Sequence, residues 1–553
     1  MSLRSRAFTD EPMDSFHRFE EICRAMSDPG FYPHSVSSIQ RTDTHISAVF
    51  LTGRWVYKLK KPVDFGFLDF RTLEARRHYC LQEVLLNQRL SRGVYEEVVE
   101  IRRSNDGSFS LEAEGEVVEY AVKMRRLSEK MSLVSLLERN RVSSRQMIRL
   151  GAHLAAFFDG SARSADIDRF GSPSVIRYNM EENFRQTESF VESFLEKGPW
   201  EFLRQVSRTF FEDHMEMFAL RVGEGRIRDG HGDLRADHVY FFRGIQIIDC
   251  IEFNDRFRYG DAVADLAFLH MDLEHRGYAS QSRDFLEAYA REARDPQVYA
   301  LLDFYAAYRA MVRVKVACLR STEVAKEERG PLRKDANTYL WQAYRYAFQF
   351  ARPTLWVLCG LPASGKSSLA LKLSETLHLP VFQSDLVRKE GGGEARIEAG
   401  VVPYGGGIYR AELRQRVYGR LLASAQEQLK GGRSVVLDAS FSRRKWREEA
   451  ARLARDLNTS LVFVECVCGE ETLRRRLEQR EEAPGLSDAR LVHLPAMVRD
   501  FEPLTEVPPL QHGRVCTEQD PDRVLVETIS NGYFLKCAQV RELLQGAGSD
   551  LNG

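Results

Sequence analysis

From residue 46 the run ISAVFLTGRWVYKLKKP places β-branched and aromatic residues on either side of Thr52-Gly53, which predicts a hairpin. The following LEARRHYCLQEVLLNQRL spaces its apolar residues at helical intervals. Two more strand-like runs, YEEVVEIRRS and GEVVEYAVKMRRL, come next. Helical patterns then dominate to about residue 345, as in SRQMIRLGAHLAAFF and YALLDFYAAYRAMVRVKVACL. The pattern therefore predicts a small β lobe over about 35–127 and a large α lobe over about 128–345. At QFARPTLWVLCGLPASGKSS the character changes. A short buried-type strand begins after Pro353, a Gly-rich turn follows, and strands alternate with helices to about residue 540, the rhythm of a parallel sheet. The expected division is 1–349, 350–540 and a flexible tail at 541–553, which ends QGAGSDLNG.

Composition narrows this only modestly. A chain of 553 residues exceeds what one core serves, in line with two domains. No apolar run approaches the ~18–20 residues of a membrane helix, so no membrane association is expected. The first residues, MSLRSRAFTDEPMD, lack the apolar core of a secretory signal, and the nine cysteines form no CxxC pair. A reducing cytoplasm is the expected compartment. Lys plus Arg (79) nearly cancels Asp plus Glu (80), so no global basic field recruits nucleic acid, and any such binding must be local.

The chemistry of the second half starts from GLPASGKS, Gly360 to Ser367, between the apolar TLWVLC and the helical SLALKLSETL. This is the strand–loop–helix setting a phosphate loop requires. Gly360 and Gly365 frame backbone amides aimed at the β-phosphate of ATP, Lys366 bridges phosphate oxygens, and Ser367, with Ser368 beside it, holds Mg²⁺. VFQSDLVRKE sets Asp385 just past a second strand, where a carboxylate can deprotonate an acceptor hydroxyl. RSVVLDASF ends a third strand on Asp438, a candidate to orient Mg²⁺ or its water. ETLRRRLEQR spaces Arg476 and Arg480 on one helical face, suited to closing over developing phosphate charge. SRRKWR, 442–447, is an exposed basic turn or a grip on a nucleic-acid end.

Together these residues resemble the zeta-toxin and polynucleotide-kinase group of P-loop kinases over about 353–540. The resemblance implies that Asp385 is the base, Arg388 an acceptor-binding arginine, and Arg476 and Arg480 lid arginines. It does not name the acceptor.

In the first half HGDLRADHVYF, 231–241, is followed by GIQIIDCIEFND and then YGDAVADLAFLHMD. This series resembles the aminoglycoside phosphotransferase and choline kinase family, with its protein-kinase-like fold, over about 40–345. The resemblance implies Asp233 as catalytic aspartate, Asp249 as metal ligand, and Asp265 as a structural buttress of the catalytic loop. It also implies a phosphate-gripping lysine, Lys58 with Lys60 as its competitor on the same strand face, ion-paired to Glu83. Arg235 stands where a protein kinase carries a phosphate-contacting lysine.

Two features depart from the family. The small lobe has no GxGxxG, leaving Thr44 and Ser47 as candidates to cover the phosphates. His238 occupies the place of a metal-binding asparagine, and its imidazole as ligand shifts preference from Mg²⁺ towards Mn²⁺; Asp237 or Asp249 alone are the alternatives.

The fold class expected is thus two domains, an α+β bilobal protein-kinase-like fold followed by an α/β P-loop kinase fold with a parallel sheet. The expected function is a bifunctional ATP-dependent phosphotransferase acting on hydroxyl acceptors such as a sugar, aminoglycoside or nucleoside. The alternatives are a P-loop kinase controlled by a non-catalytic first half, and a nucleic-acid 5′-hydroxyl kinase, with nucleic acid admitted only at the C-terminal domain.

Overall fold

The computed structural model describes residues 12–112, 114–390, 411–482 and 490–550. The chain packs as two compact units, one of Met1–Ile176 with Phe218–Ser282, the other of Arg177–Met217 with Arg283–Gly553.

The first unit holds a six-stranded antiparallel sheet. Its strands are β1 Gln40–Asp43, β2 Ser47–Thr52, β3 Trp55–Lys60, β4 Tyr95–Arg103, β5 Phe109–Ser110 and β6 Glu116–Arg125, in the order β1-β2-β3-β6-β4-β5. The hairpin expected at Thr52-Gly53 joins β2 to β3, with Gly53 at φ +79° in the region that favours glycine. Alternation along β3 sends Tyr57 and Leu59 into a core with Phe19, Ile22, Phe50 and Ile101, and Val56 into a second core with Tyr95, Val122 and Met124. Lys58 and Lys60 therefore share the face of Val56. Thr72 caps the helix Leu73–Asn87 by accepting the Ala75 amide.

Later in this unit, β7 Ile227–Asp229 pairs with β10 Tyr259–Asp261, and β8 Val239–Tyr240 with β9 Gln246–Ile247. The expected catalytic loop runs from β7 to β8, and Asp249 lies two residues after β9. Behind them the helix Ala262–His275 is buried along most of its length.

The second unit contains a five-stranded sheet of β11 Thr354–Cys359, β12 Val381–Gln383, β13 Val435–Asp438, β14 Ser460–Val467 and β15 His512–Cys516. Every pair is parallel and the order is β12-β13-β11-β14-β15. β11 is central and buried at all six positions, which is why its sequence is uniformly apolar. The helices Val298–Glu323 and Arg329–Ala351 belong to this unit, and only Arg352 and Pro353 separate the latter from β11. Asp303 and Gln349 on them bond Tyr533 and Cys537 on the last helix, Pro521–Asp550. That helix continues through the stretch expected to be a flexible tail, with Val540 fully buried; residues 551–553 lie outside the described residues. Among the described residues no helix is long and apolar enough to cross a membrane.

Candidate active sites

β11 ends at Cys359 and the chain turns sharply before the helix Lys366–Leu377. Gly360 (φ +136°) cannot carry a side chain, because a Cβ would lie 2.5 Å from the Cys466 carbonyl oxygen. Gly365 (φ +89°) fits against Thr517 in the same way, at 2.9 Å. Lys366 Nζ donates to the Leu361 carbonyl at 2.7 Å, so the lysine crosses its own loop. Burial pushes its pKa down, with the Asp438 carboxylate opposing. A desolvated ammonium poised across the phosphate loop is suited to phosphate oxygens.

Gly365, Lys366, Ser367, Ser368, Asp385, Arg388, Asp438 and Arg480 line one cleft at the carboxyl ends of the parallel strands. Arg388 Nη1 lies 3.2 Å from Asp385 Oδ1, one helical turn away. Gln383 Nε2 donates to Asp438 Oδ2 at 3.0 Å, which fixes that carboxylate and leaves Oδ1 for another partner. Ser367 and Asp438 offer oxygen donors of the kind Mg²⁺ prefers. Among the described residues no group of three or more His, Cys, Asp or Glu side chains could hold a metal by itself. The set fits a Mg²⁺ ion that keeps its waters and shares nucleotide phosphates.

The structure gives Arg476 a different task from the one expected. It donates to the Ala363 carbonyl at 3.2 Å and to the Thr517 carbonyl at 2.8 Å, while Thr517 Oγ1 donates to the Ser364 carbonyl at 2.7 Å. Arg476 thus braces the phosphate loop from outside, and only Arg480, one turn later, reaches the cleft. The run SRRKWR is not an open basic patch. Arg447 is buried and donates to the carbonyls of Phe441 and Pro503. Arg444 pairs with Glu448, and Arg443 with Asp500 and Glu502.

Arg443 and Trp446 of that run join Asp385 on the cleft wall, together with Arg414, Ser440 and Tyr418, which sequence reasoning missed; Tyr418 stacks on Trp446 (4.6 Å, 5°). Nothing in the sequence marks Tyr418 for this. Its hydroxyl accepts the Phe441 amide at 3.0 Å, beside a backbone with φ +42° at Phe441.

In the first unit Asp265 accepts the amides of His231 (2.7 Å) and Gly232 (3.0 Å), the buttress expected of it. Gly230 and Gly232 admit no side chain: a Cβ would meet Asp265 at 2.4 Å and the Phe257 carbonyl at 2.8 Å. Asp265→Ala orphans two buried amides, at about 1–3 kcal/mol each. A loss of roughly 2–6 kcal/mol of unfolding free energy is expected. Chemical denaturation of the full chain measures it, and a change within ~0.5 kcal/mol would refute the buttress.

Both lysines of β3 reach Glu83. Lys58 Nζ lies 2.8 Å from Glu83 Oε1 and 2.7 Å from Asp249 Oδ1, while Lys60 lies 2.7 Å from Glu83 Oε2 and also pairs with Glu252. Lys58 is therefore the lysine that faces Asp249, and Lys60 forms a buried pair behind it. Lys58 holds the Asp249 carboxyl well below the usual carboxylate range. Asp249 itself sits at φ +66°, strained for a residue with a side chain, and its amide donates to the Tyr95 hydroxyl at 3.2 Å. From the end of the Leu73–Asn87 helix, Asn87 Oδ1 accepts the Cys250 amide, and Arg89 donates to the carbonyls of Asp229 and Gly230. Neither contact was visible in sequence.

His238 is engaged at both nitrogens. Nδ1 donates to the Asp233 carbonyl at 2.9 Å, and Nε2 faces Arg235 Nη2 at 3.1 Å and Asp249 Oδ2 at 3.7 Å. Arg235 Nε also donates to Asp233 Oδ1 at 3.1 Å, and Nη1 lies 3.0 Å from Asp237 Oδ2. Burial is the largest influence and works to raise the Asp233 pKa, but Arg235 together with His238 and His231 outweighs it and leaves the pKa below its ordinary range. With the imidazole lone pair turned to a guanidinium, the metal donors that fit are the carboxylate oxygens of Asp249. Thr44 and Ser47 bond each other across the β1–β2 turn, and Ser47 is fully buried, which removes it from any phosphate.

Residues 355–504 match a family model described as AAA domain. The chain is 32% identical over 450 residues to the uncharacterized protein Rv2004c of Mycobacterium tuberculosis, covering 81% of this chain and 87% of that one. The uncharacterized protein Mb2027c of Mycobacterium bovis matches to the same extent. Among solved structures, a gluconokinase from Sinorhizobium meliloti is 20% identical over 35% of this chain and 97% of its own, with a TM-score of 0.26. The GDP complex of aminoglycoside 2′-phosphotransferase-IIIa is 15% identical over 60% of this chain and 98% of its own, with a TM-score of 0.37.

Proposed function

We propose that this chain, which belongs to the family of the mycobacterial proteins Rv2004c and Mb2027c, is a bifunctional ATP-dependent phosphotransferase with one site in each compact unit. The observation that carries the reading is the convergence of Lys366, Ser367, Asp385, Arg388, Asp438 and Arg480 on one cleft. Lys366 and the loop amides hold the phosphates of ATP in line with an acceptor hydroxyl. Asp385 takes the hydroxyl proton as the oxygen attacks, Arg388 orients that carboxylate, and Arg480 offsets the charge that develops on the transferred group. Ser367 and Asp438 would hold Mg²⁺, which would supply neutralisation of the phosphate charge. The acceptor is a small alcohol such as a sugar or nucleoside. A nucleic-acid end is disfavoured, because each arginine of the 442–447 run is paired with a carboxylate.

In the first unit Lys58 grips phosphate, Asp233 receives the acceptor proton, and Asp249 would hold the metal. Arg235, fixed by Asp233 and His238, brings positive charge to the transferred phosphoryl group. A second reading, a nucleotide-responsive unit without catalysis, draws on the pairing of Lys58 with Asp249 and of Arg235 with Asp233, which nucleotide and metal must break. The test is a screen of sugars, aminoglycosides, nucleosides and 5′-hydroxyl oligonucleotides with labelled ATP, using the full chain, its Lys366→Ala variant and its Asp233→Ala variant. Asp233→Ala is expected to remove a transfer activity that survives Lys366→Ala. If Lys366→Ala leaves no transfer while nucleotide still binds the first unit, the regulatory reading replaces the bifunctional one.

For the metal, His238→Asn is expected to leave the Mg²⁺ to Mn²⁺ activity ratio of the first site unchanged, since Arg235 holds the imidazole. A ratio that rises towards Mg²⁺ would make the imidazole a ligand after all. The compartment proposed is the reducing cytoplasm; all nine cysteines are unbridged.

A further inference from the structure

A second cavity of about 120 Å³ lies within the second unit, at the opposite end of β11 from the phosphate loop. Thr354 opens β11 and lines this cavity, whereas Gly360 follows its other end, so six residues of strand, about 20 Å, separate the two sites. The walls are largely aromatic. Phe210 packs on Phe350 at 4.6 Å, Tyr299 on Tyr533 at 5.2 Å, and the Trp356 ring lies so close to Gly532 that a Cβ there would meet it at 1.9 Å. Gly532 is therefore a packing requirement of this wall. The volume is of the order of the ~150 Å³ apolar cavity known to admit a benzene ring.

One polar feature has no use in either phosphoryl-transfer site. Lys536, from the helix Pro521–Asp550, lines the cavity, and among the described residues its ammonium has no hydrogen bond and no ion pair. Burial pushes its pKa down, with Asp303 the main opposing charge. Asp303 also lines the cavity, and its Oδ1 accepts the Tyr533 hydroxyl at 2.6 Å and Gln349 Nε2 at 3.1 Å. His214 donates Nδ1–H to the Phe210 carbonyl at 2.8 Å, and burial keeps it neutral, so it adds no second cation. The Lys536 side chain is half-buried, so water can reach its three donors, and a ligand that brings oxygen atoms against the aromatic wall can take the place of that water. The Asp303 charge nearby sets the limit, because a dianion would be repelled where a monoanion is held.

We infer that this cavity is a binding site for a small aromatic monocarboxylate, its ring between Trp356 and the Phe210–Phe350 pair and its carboxylate on Lys536. The probe is benzoate, titrated calorimetrically into the full chain, with benzyl alcohol as the neutral isostere. Benzoate is expected to bind at one site per chain with a Kd of about 1 mM or tighter, and benzyl alcohol at least about tenfold more weakly. Lys536→Met should cost benzoate at least about tenfold while Lys536→Arg retains it, and an ATP analogue should still bind the phosphate loop in both. Should Lys536→Met fail to fold, Ala300→Phe, which fills the cavity and keeps the lysine, must abolish benzoate binding. Absence of a saturable signal, equal affinity for the alcohol, or unchanged binding in Lys536→Met or Ala300→Phe would overturn the assignment.

Discussion

Lys366→Ala in the full chain is expected to lower phosphoryl transfer at the P-loop cleft by about 10²–10³-fold or more, the scale of losing one preorganised charge at a transition state, and to weaken ATP binding there. The lysine is buried beside Asp438, its pKa is pushed down by desolvation, and its ammonium reaches no farther than the Leu361 carbonyl until phosphate arrives. Removing it leaves a loop of amides with no mobile positive charge to follow the phosphoryl group. Both ground-state and transition-state binding suffer, so kcat/KM should fall further than kcat. The full chain is the right material, because the helices Val298–Glu323 and Arg329–Ala351 share a compact unit with the P-loop sheet. Single-turnover transfer with labelled ATP checks the expectation. Activity assigned to this cleft that stays within about twofold of the parent would remove Lys366 from the chemistry.

Asp385→Asn should produce a loss of similar or greater size with a different signature. A general base is worth about 10²–10⁴-fold, and asparagine keeps the shape of the carboxylate while discarding its proton affinity. Asp385 lies on the Ser384–Glu390 helix after β12, across the cleft from the phosphate loop and 3.2 Å from Arg388. ATP affinity measured by calorimetry should therefore change little while kcat collapses. A parallel loss of ATP binding would place Asp385 in the nucleotide site. The Arg388→Lys variant sharpens the comparison: it keeps the charge but not the guanidinium geometry, so turnover is expected to fall without matching the Asp385→Asn defect.

Much of this was legible along the chain because the chemistry sits in contiguous segments. The phosphate loop, the aspartates just past β12 and at the end of β13, and the HGD series each combine a local backbone requirement with a local side chain. Gly360, Gly365, Gly230 and Gly232 are written in the sequence because a Cβ at those positions collides with backbone, with Thr517 or with Asp265. Period-two alternation also gave both lysines of β3 the same face, though alternation by itself could not choose between them. The choice rests on contacts 191 and 192 residues away, where Asp249 takes Lys58 and Glu252 takes Lys60.

The same limit explains the remaining differences. Helical spacing put Arg476 and Arg480 on one face, but the earlier arginine meets the carbonyls of Ala363 and Thr517 and only the later one reaches the cleft. His238 looked like a ligand because of its place in a motif, and the Arg235 guanidinium three residues earlier turned out to face its free nitrogen. The final helix, with Gly546 and Gly548 near its end, runs on to Asp550 through a stretch expected to be a flexible tail. The sequence by itself determined which backbone turns and strand ends carry chemistry, since those depend on local sterics and periodicity. Only the tertiary structure decided which charge meets which, because ion pairing and burial are set by neighbours far along the chain.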